Sequence, residues 1–338
     1  MININNIFDY CNNSIDCNDV LFSTGENVGN TILTIAIKND NNHIYTYSNE
    51  WLYLINSYYP DNPYYPNLIN FYYNIINNKE NIEIINEDVI SFITCFSTGT
   101  VHGYSGLYNI LSEYLNNYEM YKDKKILVAK NSQQGIIDII NHLFNKNIID
   151  KDKIIYIDKN KIYHCHSITF IPNRFHIFEE ELSIKVSNIM DRYIIPDRSD
   201  QLYYDSLNLP NNLDKVCIMK GTNSNNLTTD GVVPQNNIIN FVSKWEITLI
   251  EPGIINEIPL IHCINQCKVF ITTWGTSFLK NYIYVSDQCE KIIVLIIGDV
   301  FIGQYYFYLN NNVLKLKYKN ANIIYKIVDY NLIFNLYE

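Results

Sequence analysis

Residues 268–281 read KVFITTWGTSFLKN. The apolar run that starts this segment predicts a buried strand, and the Gly-Thr-Ser turn after it predicts the start of a helix. Segments 215–221 (KVCIMKG), 246–252 (EITLIEP) and 292–298 (IIVLIIG) also have the composition of buried strands. An amphipathic helix is predicted between the second and third of these four strands. Alternating strands and helices predict a parallel sheet covered on both faces. This layout is typical of a nucleotide-binding half-domain, whose ligand lies at the carboxyl ends of the strands.

Two strands are predicted near the start of the chain, at 32–38 and 42–48, joined by an Asn-Asp-Asn-Asn turn. The same alternation of strands and helices as in the last third begins at residue 88. Its strands are predicted at 89–96, 124–130, 154–160 and 161–173 and in the tail at 313–320 and 322–337, and its helices at 107–118, 132–144 and 183–195. The tail strands are expected to pack back on the first domain. A Gly/Ser/Thr-rich loop is predicted at 97–106. The polar stretch after Pro196 marks a domain boundary, so we expect domains at 1–200 and 201–338.

The composition allows large folded cores and argues against a nucleic-acid-binding protein. Apolar residues make up 47% of the 338 residues and charged residues 18%, and this length suits two domains of ordinary size. The net charge is −10, whereas binding to a nucleic-acid backbone needs clustered Lys and Arg. The frequent Asn, Ile and Tyr residues have AT-rich codons, so the bias indicates an AT-rich genome, such as that of a giant virus or a protist.

The sequence contains no segment that predicts export or membrane insertion. Its start, MININNIFDY, alternates polar and apolar residues and lacks the pattern of a leader. No apolar run approaches the roughly 20 residues that a membrane span requires. The eight cysteines are scattered, and Cys95, Cys165 and Cys217 lie in apolar runs, where a thiol behaves as a small hydrophobe. We therefore expect a soluble cytoplasmic protein, in the host cytoplasm if the source is a virus.

Candidate ligand-binding residues lie in the turn TTWGTS, residues 272–277. Gly275 would let the backbone approach a ligand closely. Thr276 and Ser277 suit an N-cap, which leaves backbone N–H groups and the positive end of the helix dipole directed outward. Diphosphate oxygens match that geometry. The alternative is an ordinary strand-to-helix turn with a capping hydroxyl.

A second candidate element is the end of the predicted strand 215–221, where Lys220 and Gly221 precede a polar loop. A cation at the carboxyl end of a strand could pair with a phosphate. The alternative is a solvated lysine at a strand end.

Candidate general bases lie on the predicted loop 97–106 and on the helix after it. His102 and Glu113 can each accept a proton from a hydroxyl within hydrogen-bond reach. A glutamate on the surface of a helix is the ordinary alternative for Glu113.

The segment HCH at 164–166 raises the question of a metal site. In a strand, His164 and His166 share one face, but a zinc site needs about four ligands, and no spaced CxxC or second His pair lies nearby in the sequence. Cys263 and Cys267 on the predicted helix have the same shortage of ligands. We therefore expect no metal site.

In the order of its segments, the chain resembles glycosyltransferase family 61 over residues 91–297. LYNILSEYL stands where the family has an aromatic-His-Trp-Leu-Leu-Asp/Glu-x-Leu helix, and KILVAK and NIIDKDKIIYID match the strand and the pattern that follow it. KVCIMKG matches a later strand that ends in Arg. EPGIINEIPLIHCINQCKVFITTWGTSFLKN resembles the family block pe..s..eqi.lf..a.viig.hGa.l.N, in which Gly275, Ser277 and Asn281 fit the Gly-small-Asn pattern.

Three positions depart from the family pattern. Asn109 replaces the helix His, although Glu113 keeps the acidic position. Lys220 replaces the strand-end Arg, which keeps the charge but loses the planar fork. Trp274 replaces the His that precedes the glycine.

The resemblance implies an α/β protein of GT-B architecture, with two Rossmann-like domains whose parallel sheets face a cleft. It implies an inverting glycosyltransferase that moves a sugar from a nucleotide-sugar, with a UDP-sugar expected, to a hydroxyl of a glycan or glycoprotein. No metal or other cofactor is implied. The implied donor-binding residues are Lys220, Gly221, Thr273, Trp274, Gly275, Thr276, Ser277 and Asn281. Within this set Lys220 would neutralise the departing charge and Trp274 would stack on the base or sugar, while Glu113 or His102 would deprotonate the acceptor.

Three alternatives remain open from the sequence. The first is a catalytically inactive GT-B-fold protein that binds a nucleotide-sugar or glycan, which the replaced histidines favour. The second is another GT-B-like transferase or an epimerase acting on sugars, such as a pyruvyl transferase. The third is a structural interaction protein, which the polar loops and glycines at the strand ends make less favourable.

Overall fold

The computed structural model of the chain describes residues 8–10, 14–28, 31–38, 44–46, 74, 75, 77, 81–93, 101–130, 132, 134–158, 161–171, 188, 190–195, 205–219, 233–251, 255–310 and 321–336. The chain divides into two compact units, Met1–His176 and Ile177–Glu338. Each unit contains a sheet of its own. The domain boundary predicted from the sequence, between residues 200 and 201, falls inside the second unit and stays a prediction.

The first unit contains a mixed sheet. Its strands are β1 (Phe8–Tyr10), β2 (Ile15–Val28), β3 (Thr31–Lys38), β4 (Ile44–Thr46), β5 (Ile82–Ser91), β6 (Lys125–Ala129), β7 (Ile154–Ile157) and β8 (Ile162–Phe170). Their order in the sheet is β1-β4-β3-β2-β8-β5-β6-β7. The predicted strands at 32–38 and 42–48 are confirmed as β3 and β4, and those at 124–130, 154–160 and 161–173 as β6, β7 and β8.

The parallel pairing predicted from residue 88 onward is found among β5, β6, β7 and β8. β2 pairs antiparallel with both β3 and β8, and β3 with β4, so the parallel sheet implied for the first domain is wrong for these pairs. Only residues 29–30 separate β2 from β3, and only 39–43 separate β3 from β4, which is too few for a crossover helix and therefore gives antiparallel pairs. At the edge of the sheet, β1 pairs in parallel with β4.

β5 begins earlier than the predicted strand 89–96. Its first half carries exposed polar residues, and β6 pairs only with Val89, Ile90 and Ser91. The apolar run that predicts a buried strand therefore covers only the final part of β5. Residues 94–96 lie outside the described residues.

The helices of the first unit are α1 (Val101–Asn116), α2 (Tyr118–Tyr121) and α3 (Gln134–Asn145). On α1 the periodic residues Leu107, Ile110, Leu111 and Tyr114 are all buried, as the helical spacing predicts. The helix nevertheless starts at Val101, so the predicted loop 97–106 is wrong from that residue onward.

The predicted helix at 183–195 is described only towards its end. There, Met190–Ile194 form a π-helical turn in place of an α-helix.

The second unit contains a sheet in which every described pairing is parallel. Its strands are β9 (Lys215–Ile218), β10 (Thr248–Ile250), β11 (Val269–Thr273), β12 (Lys291–Ile296) and β13 (Asn322–Ile327). The helices between them are α4 (Gln235–Trp245), α5 (Glu257–Gln266), α6 (Thr276–Asn281) and α7 (Asp299–Asn310). All four strands predicted around the turn at Gly275 are confirmed.

The order of this second sheet is β10-β9-β11-β12-β13. Numbered along the chain, that order is 2-1-3-4-5, one of the two common doubly wound arrangements. β13 pairs with β12 of the same sheet, so the prediction that the tail packs on the first domain is wrong for 322–327. Residues 313–320 lie outside the described residues.

The second sheet is covered on both faces, which explains its continuous apolar strands. On one face, Cys217, Ile271 and Ile293 pack with Ile238 and Phe241 of α4. α6 and α7 cover the opposite face through aromatic contacts described below. The prediction of buried thiols is confirmed for Cys217 and for Cys165, where burial raises the pKa to about 12; Cys95 lies outside the described residues.

Candidate functional site

The strand order of the second sheet reverses between β9 and β11. From β9 the chain moves to β10 on one side, then returns past β9 to β11, so the carboxyl ends of β9 and β11 lie side by side. Ile218 pairs with Thr272 at the end of this ladder. In open α/β sheets a crevice for ligands forms at such a point, because the adjacent connections leave on opposite faces.

The predicted site residues follow both of these strands in the sequence. Lys220 and Gly221 come after Met219 but lie outside the described residues. The Gly275 turn directly follows β11. The strand ends at which such sheets bind ligands are therefore the ones that precede the predicted residues.

The turn after β11 has a backbone that favours glycine. Gly275 has φ 99° and ψ −148° and is the N-cap of α6. Thr276 and Ser277 are the first two helical residues, so their prediction as capping residues is wrong. A Cβ built on Gly275 would lie 3.4 Å from the ring of Phe301 on α7. The ring of Phe301 therefore packs at van der Waals distance from the position that a side chain at 275 would occupy.

Trp274 lies in an aromatic cluster beneath the turn. Its side chain is 2% exposed, and its ring centroid lies 5.8 Å from that of Phe278, 6.3 Å from Tyr305 and 6.1 Å from Tyr325. The backbone N–H of Trp274 donates to the carbonyl of Leu295, at 2.7 Å, which continues the pairing of β11 with β12. This burial does not support the predicted stacking on a base or sugar, because the ring faces α6, α7 and β13.

We expect Trp274→Phe to reduce the free energy of unfolding by about 1–2 kcal/mol, since a smaller ring leaves a gap in the aromatic cluster. Urea denaturation of the full chain would measure this loss. An unchanged midpoint would contradict the packing role of the indole.

Two further predicted donor residues are engaged inside the unit. Thr273 is 5% exposed and Asn281 is 3% exposed. The amide of Asn281 donates from Nδ2 to the backbone carbonyl of Ser277, at 2.8 Å. Asn281 therefore stabilises the turn of α6, and Ser277 remains half-buried at the start of that helix.

A buried ion pair behind the turn was missed from the sequence. Lys280 on α6 donates from Nζ to Oε2 of Glu257 on α5, at 2.7 Å, and Tyr284 donates from its hydroxyl to Oε1, at 3.2 Å. Glu257 is 6% exposed. The signal in the sequence that could have revealed this buried carboxylate is Glu257 itself, which begins the largely apolar segment EIPLIHC. This network joins the first residue of α5 to the last turn of α6.

A second missed contact lies at the same end of the sheet. Glu251 is the first residue after β10, and Gln235 is the first residue of α4. The Nε2 of Gln235 donates to Oε1 of Glu251 at 2.7 Å. The carboxylate of Glu251 therefore accepts a hydrogen bond from the amide of Gln235 at the end of β10, the strand next to β9.

The two candidate bases of the first unit lie on one helix. His102 is in the first turn of α1, rather than on the predicted loop, and Glu113 follows it eleven residues later. At 1.5 Å per residue, the two positions are about 16 Å apart along the axis. A single acceptor hydroxyl can therefore contact one of them and not both. The side chain of His102 is outside the described residues.

The carboxylate of Glu113 takes part in contacts within the first unit. Its Oε1 accepts from the hydroxyl of Ser14 at 3.2 Å and from Nδ2 of Asn117 at 3.0 Å. The side chain is half-buried. These bonds tie the last turns of α1 to the start of β2, which is a structural role for Glu113 in this state of the molecule.

Asp16, on β2 nearby, forms a network with Lys124 and Thr169. The Nζ of Lys124 lies 2.8 Å from Oδ1 of Asp16, and the Thr169 hydroxyl also donates to that oxygen. The hydrogen bond from Lys124, then that from Thr169, lowers the pKa of Asp16 below its ordinary value. The folded state therefore favours the ionised carboxylate.

We expect Asp16→Asn to reduce stability by at most about 1 kcal/mol at pH 7, because the carboxylate is largely exposed and screened. A lowered folded-state pKa gives stability that is present above the unfolded pKa, about 3.9, and is lost as the pH falls through the folded value. The difference between wild type and variant should thus shrink below about pH 4. Urea unfolding at pH 7 and pH 3 would measure it, and a difference as large at pH 3 as at pH 7 would contradict the assignment.

The HCH segment lies on β8, as the sequence predicted. His164 and His166 alternate with the buried Cys165, and Nε2 of His164 lies 2.5 Å from Oδ1 of Asp19. Within the ranges that the structure describes, no group of three or more His, Cys, Asp or Glu residues could hold a metal ion.

No protein-family model matches this chain, and no curated protein is significantly similar to it in sequence. Function is therefore argued from the geometry and from the motifs in the sequence. None of the helices in the described part of the chain has both the length and the apolar character to cross a bilayer.

Proposed function

We propose that this protein is a glycosyltransferase that moves a sugar from a nucleotide-sugar to a hydroxyl of a glycan or protein acceptor. The observation that carries the proposal is the doubly wound order of the second sheet, whose strand order reverses between β9 and β11. Ligands of such sheets bind outside the carboxyl ends of these strands. The order of motifs that resembles family 61 supports the same reading.

In this proposal the donor diphosphate lies in the crevice after β9 and β11. Lys220 neutralises the charge that develops on the departing diphosphate, and backbone N–H groups at the start of α6 contribute hydrogen bonds. Thr273, Trp274 and Asn281 support the turn from beneath. The donor is a UDP-sugar, the mechanism is inverting, and the GT-B arrangement of two facing domains is part of the proposal.

The acceptor is activated by a base of the first unit. His102 is the preferred candidate, because Glu113 already accepts hydrogen bonds from Ser14 and Asn117. Loss of turnover in His102→Ala with retained donor binding would support this choice. Full turnover in that variant would exclude His102 as the base.

A second candidate function is binding of a nucleotide-sugar or glycan without turnover. One observation favours it: the carboxylate of Glu113 already accepts hydrogen bonds from Ser14 and Asn117. The two functions share the donor site and differ in whether sugar is transferred or hydrolysed.

A thermal-shift screen against UDP-, GDP-, CMP- and dTDP-sugars, with and without magnesium, tests the shared donor site. A ligand at 100 times its dissociation constant adds about 2.7 kcal/mol to the stability of the state that binds it. We expect one nucleotide to raise the melting temperature independently of magnesium. Lys220→Ala should abolish the shift, and Lys151→Ala, at an exposed lysine of the first unit, should leave it unchanged.

The outcomes separate the two functions. Binding together with sugar transfer or donor hydrolysis supports the transferase, whereas binding without either supports the inactive protein. Absence of a shift with every nucleotide-sugar overturns the transferase and the nucleotide-sugar-binding alternative.

A further inference from the structure

Two buried cysteines face each other at the amino end of β11 and β12, the end of the second sheet opposite the glycine turn. Cys267 lies between α5 and β11, and Cys289 lies two residues before β12. The parallel register of the two strands pairs Val269 with Lys291. When this register is continued back by two residues on each strand, Cys267 lies opposite Cys289.

Hydrogen bonds on both sides of the pair hold the two chain segments together. The backbone N–H of Glu290 donates to the carbonyl of Lys268 at 2.8 Å. On the other side, Nε2 of Gln288 donates to the carbonyl of Gln266 at 2.9 Å. Because the residues before and after each cysteine are tied to each other, the two cysteines cannot separate unless these bonds break.

The thiols of the two cysteines are in contact and differ in protonation. They are hydrogen-bonded to each other, and this bond lowers the pKa of Cys289, although burial opposes it, and raises the pKa of Cys267. Cys267 keeps its proton, for which the carbonyl of Ile264, 3.1 Å from Sγ, is a second acceptor. The thiolate is the nucleophilic form of cysteine, so Cys289 is the more reactive sulfur of the pair.

Two other buried thiols differ from Cys289 in this respect. Burial raises the pKa of Cys165 and that of Cys263 to about 12. At neutral pH both therefore stay protonated and behave as small hydrophobes. Cys263 lies on α5, four residues before Cys267. An oxidant that reaches this part of the second unit should therefore react at Cys289 before it reacts at Cys263.

A polar cleft in the second unit adjoins the residues that flank the pair. Its volume is about 790 Å³, and Gln266, Lys268 and Gln288 lie in its wall. Each of these three residues is next in the chain to Cys267 or Cys289. The cleft therefore brings a small water-soluble oxidant to within one residue of the buried sulfurs.

We propose that Cys289 and Cys267 form a reversible disulfide when the protein meets hydrogen peroxide. The Cys289 thiolate attacks one peroxide oxygen and breaks the O–O bond, which gives a sulfenic acid and a hydroxide that takes up a proton. The sulfur of Cys267 then attacks that of Cys289 and expels water, and its proton leaves with the departing hydroxyl. In total the two thiols lose two hydrogens and two electrons, and the peroxide becomes two molecules of water. A dithiol reverses the bond by two thiol–disulfide exchanges.

The disulfide closes a loop that contains β11, the Gly275 turn and α6. A cross-link of this kind restricts the unfolded chain, so oxidation stabilises the folded second unit. This oxidation site is independent of the proposed sugar transfer and stands at the opposite end of the sheet.

Peptide mapping by mass spectrometry of the full folded chain, after brief treatment with hydrogen peroxide and alkylation of the remaining thiols, tests the pair. We expect a cross-link between the peptides that carry Cys267 and Cys289, lighter than the reduced peptides by two hydrogens and lost after treatment with a dithiol. The urea midpoint of unfolding should rise on oxidation and return on reduction. Cys289→Ala should abolish the cross-link. Cys267→Ala should stop the reaction at a sulfenic acid on Cys289, which a 1,3-diketone reagent labels.

Cys263→Ala is the matched control, because Cys263 is also buried and lies close to Cys267 in the chain, and it should leave the cross-link unchanged. Melting curves identify any variant that does not fold, and the mapping of the wild type tests the pair without a variant. Absence of the cross-link in the folded wild type, or its formation only in urea, overturns the proposal. A urea midpoint that does not rise on oxidation, or loss of the cross-link in Cys263→Ala, overturns it as well.

Discussion

Gly275→Val should lower the free energy of unfolding of the second unit by at least about 2 kcal/mol. Two independent costs act at this position. The backbone of Gly275, at φ 99° and ψ −148°, lies near a region that is open almost only to glycine, and strain of this kind costs about 1–3 kcal/mol. A Cβ at this position would already contact the Phe301 ring at 3.4 Å, so the methyl groups of valine would crowd that ring, and overpacking typically costs about 1–3 kcal/mol more.

Urea unfolding followed by the fluorescence of Trp245 and Trp274, both in the second unit, would measure the effect. Gly303→Ala is the matched control: Gly303 lies inside α7, and a Cβ there meets nothing within 4 Å. Because alanine favours the helix over glycine, this control should be neutral or stabilising by up to about 1 kcal/mol. If Gly275→Val unfolds at the wild-type midpoint, the conformation described for the turn is wrong.

Glu257→Ala should destabilise the second unit by about 3–5 kcal/mol, the cost of removing one partner from a buried ion pair. Lys280 is 13% exposed and Glu257 6%, so the ammonium of Lys280 would lose its carboxylate in a setting with little water. The hydroxyl of Tyr284 would lose the same acceptor. These groups join α5 to α6, and the loss should therefore also loosen the turn at Gly275.

A double-mutant cycle separates the pair from its surroundings. Glu257→Ala combined with Lys280→Met should be less destabilising than the sum of the two single changes, because the double variant leaves no uncompensated charge. The exposed pair of Lys122 and Glu119 is the control, and Glu119→Ala should change stability by less than about 1 kcal/mol. Strict additivity at Glu257 and Lys280 would show that the two charges do not interact.

The strands of the second sheet could be predicted from the sequence because helices cover both faces. Such strands are continuous apolar runs, and β12, in which Ile292 to Ile296 are all fully buried, is the plainest case. In the antiparallel region of the first sheet, β3 and β4 were predicted from the sequence, whereas β2 was not. β2 has no regular pattern of burial, because Asp16, Asn18 and Asp19 are exposed while Val20 to Thr24 are all buried, and its partners are chosen by pairing across the sheet.

The features of the candidate site likewise fall into those that local sequence predicted and those that only tertiary packing decided. Local sequence was sufficient to predict a glycine turn after β11 and helical periodicity on α1, since both depend on the preferences of residues close together in the chain. Tertiary structure decided that Trp274 packs inward, that Phe301 covers Gly275 and that Glu257 pairs with Lys280. Each of these contacts joins two elements whose facing surfaces become known only when the sheet order places them together, because a side chain's partners depend on the packing of whole elements. The sequence by itself therefore determined the strands of the second sheet, the glycine turn and their order along the chain, and only the tertiary structure decided which side chains of that unit pack against one another.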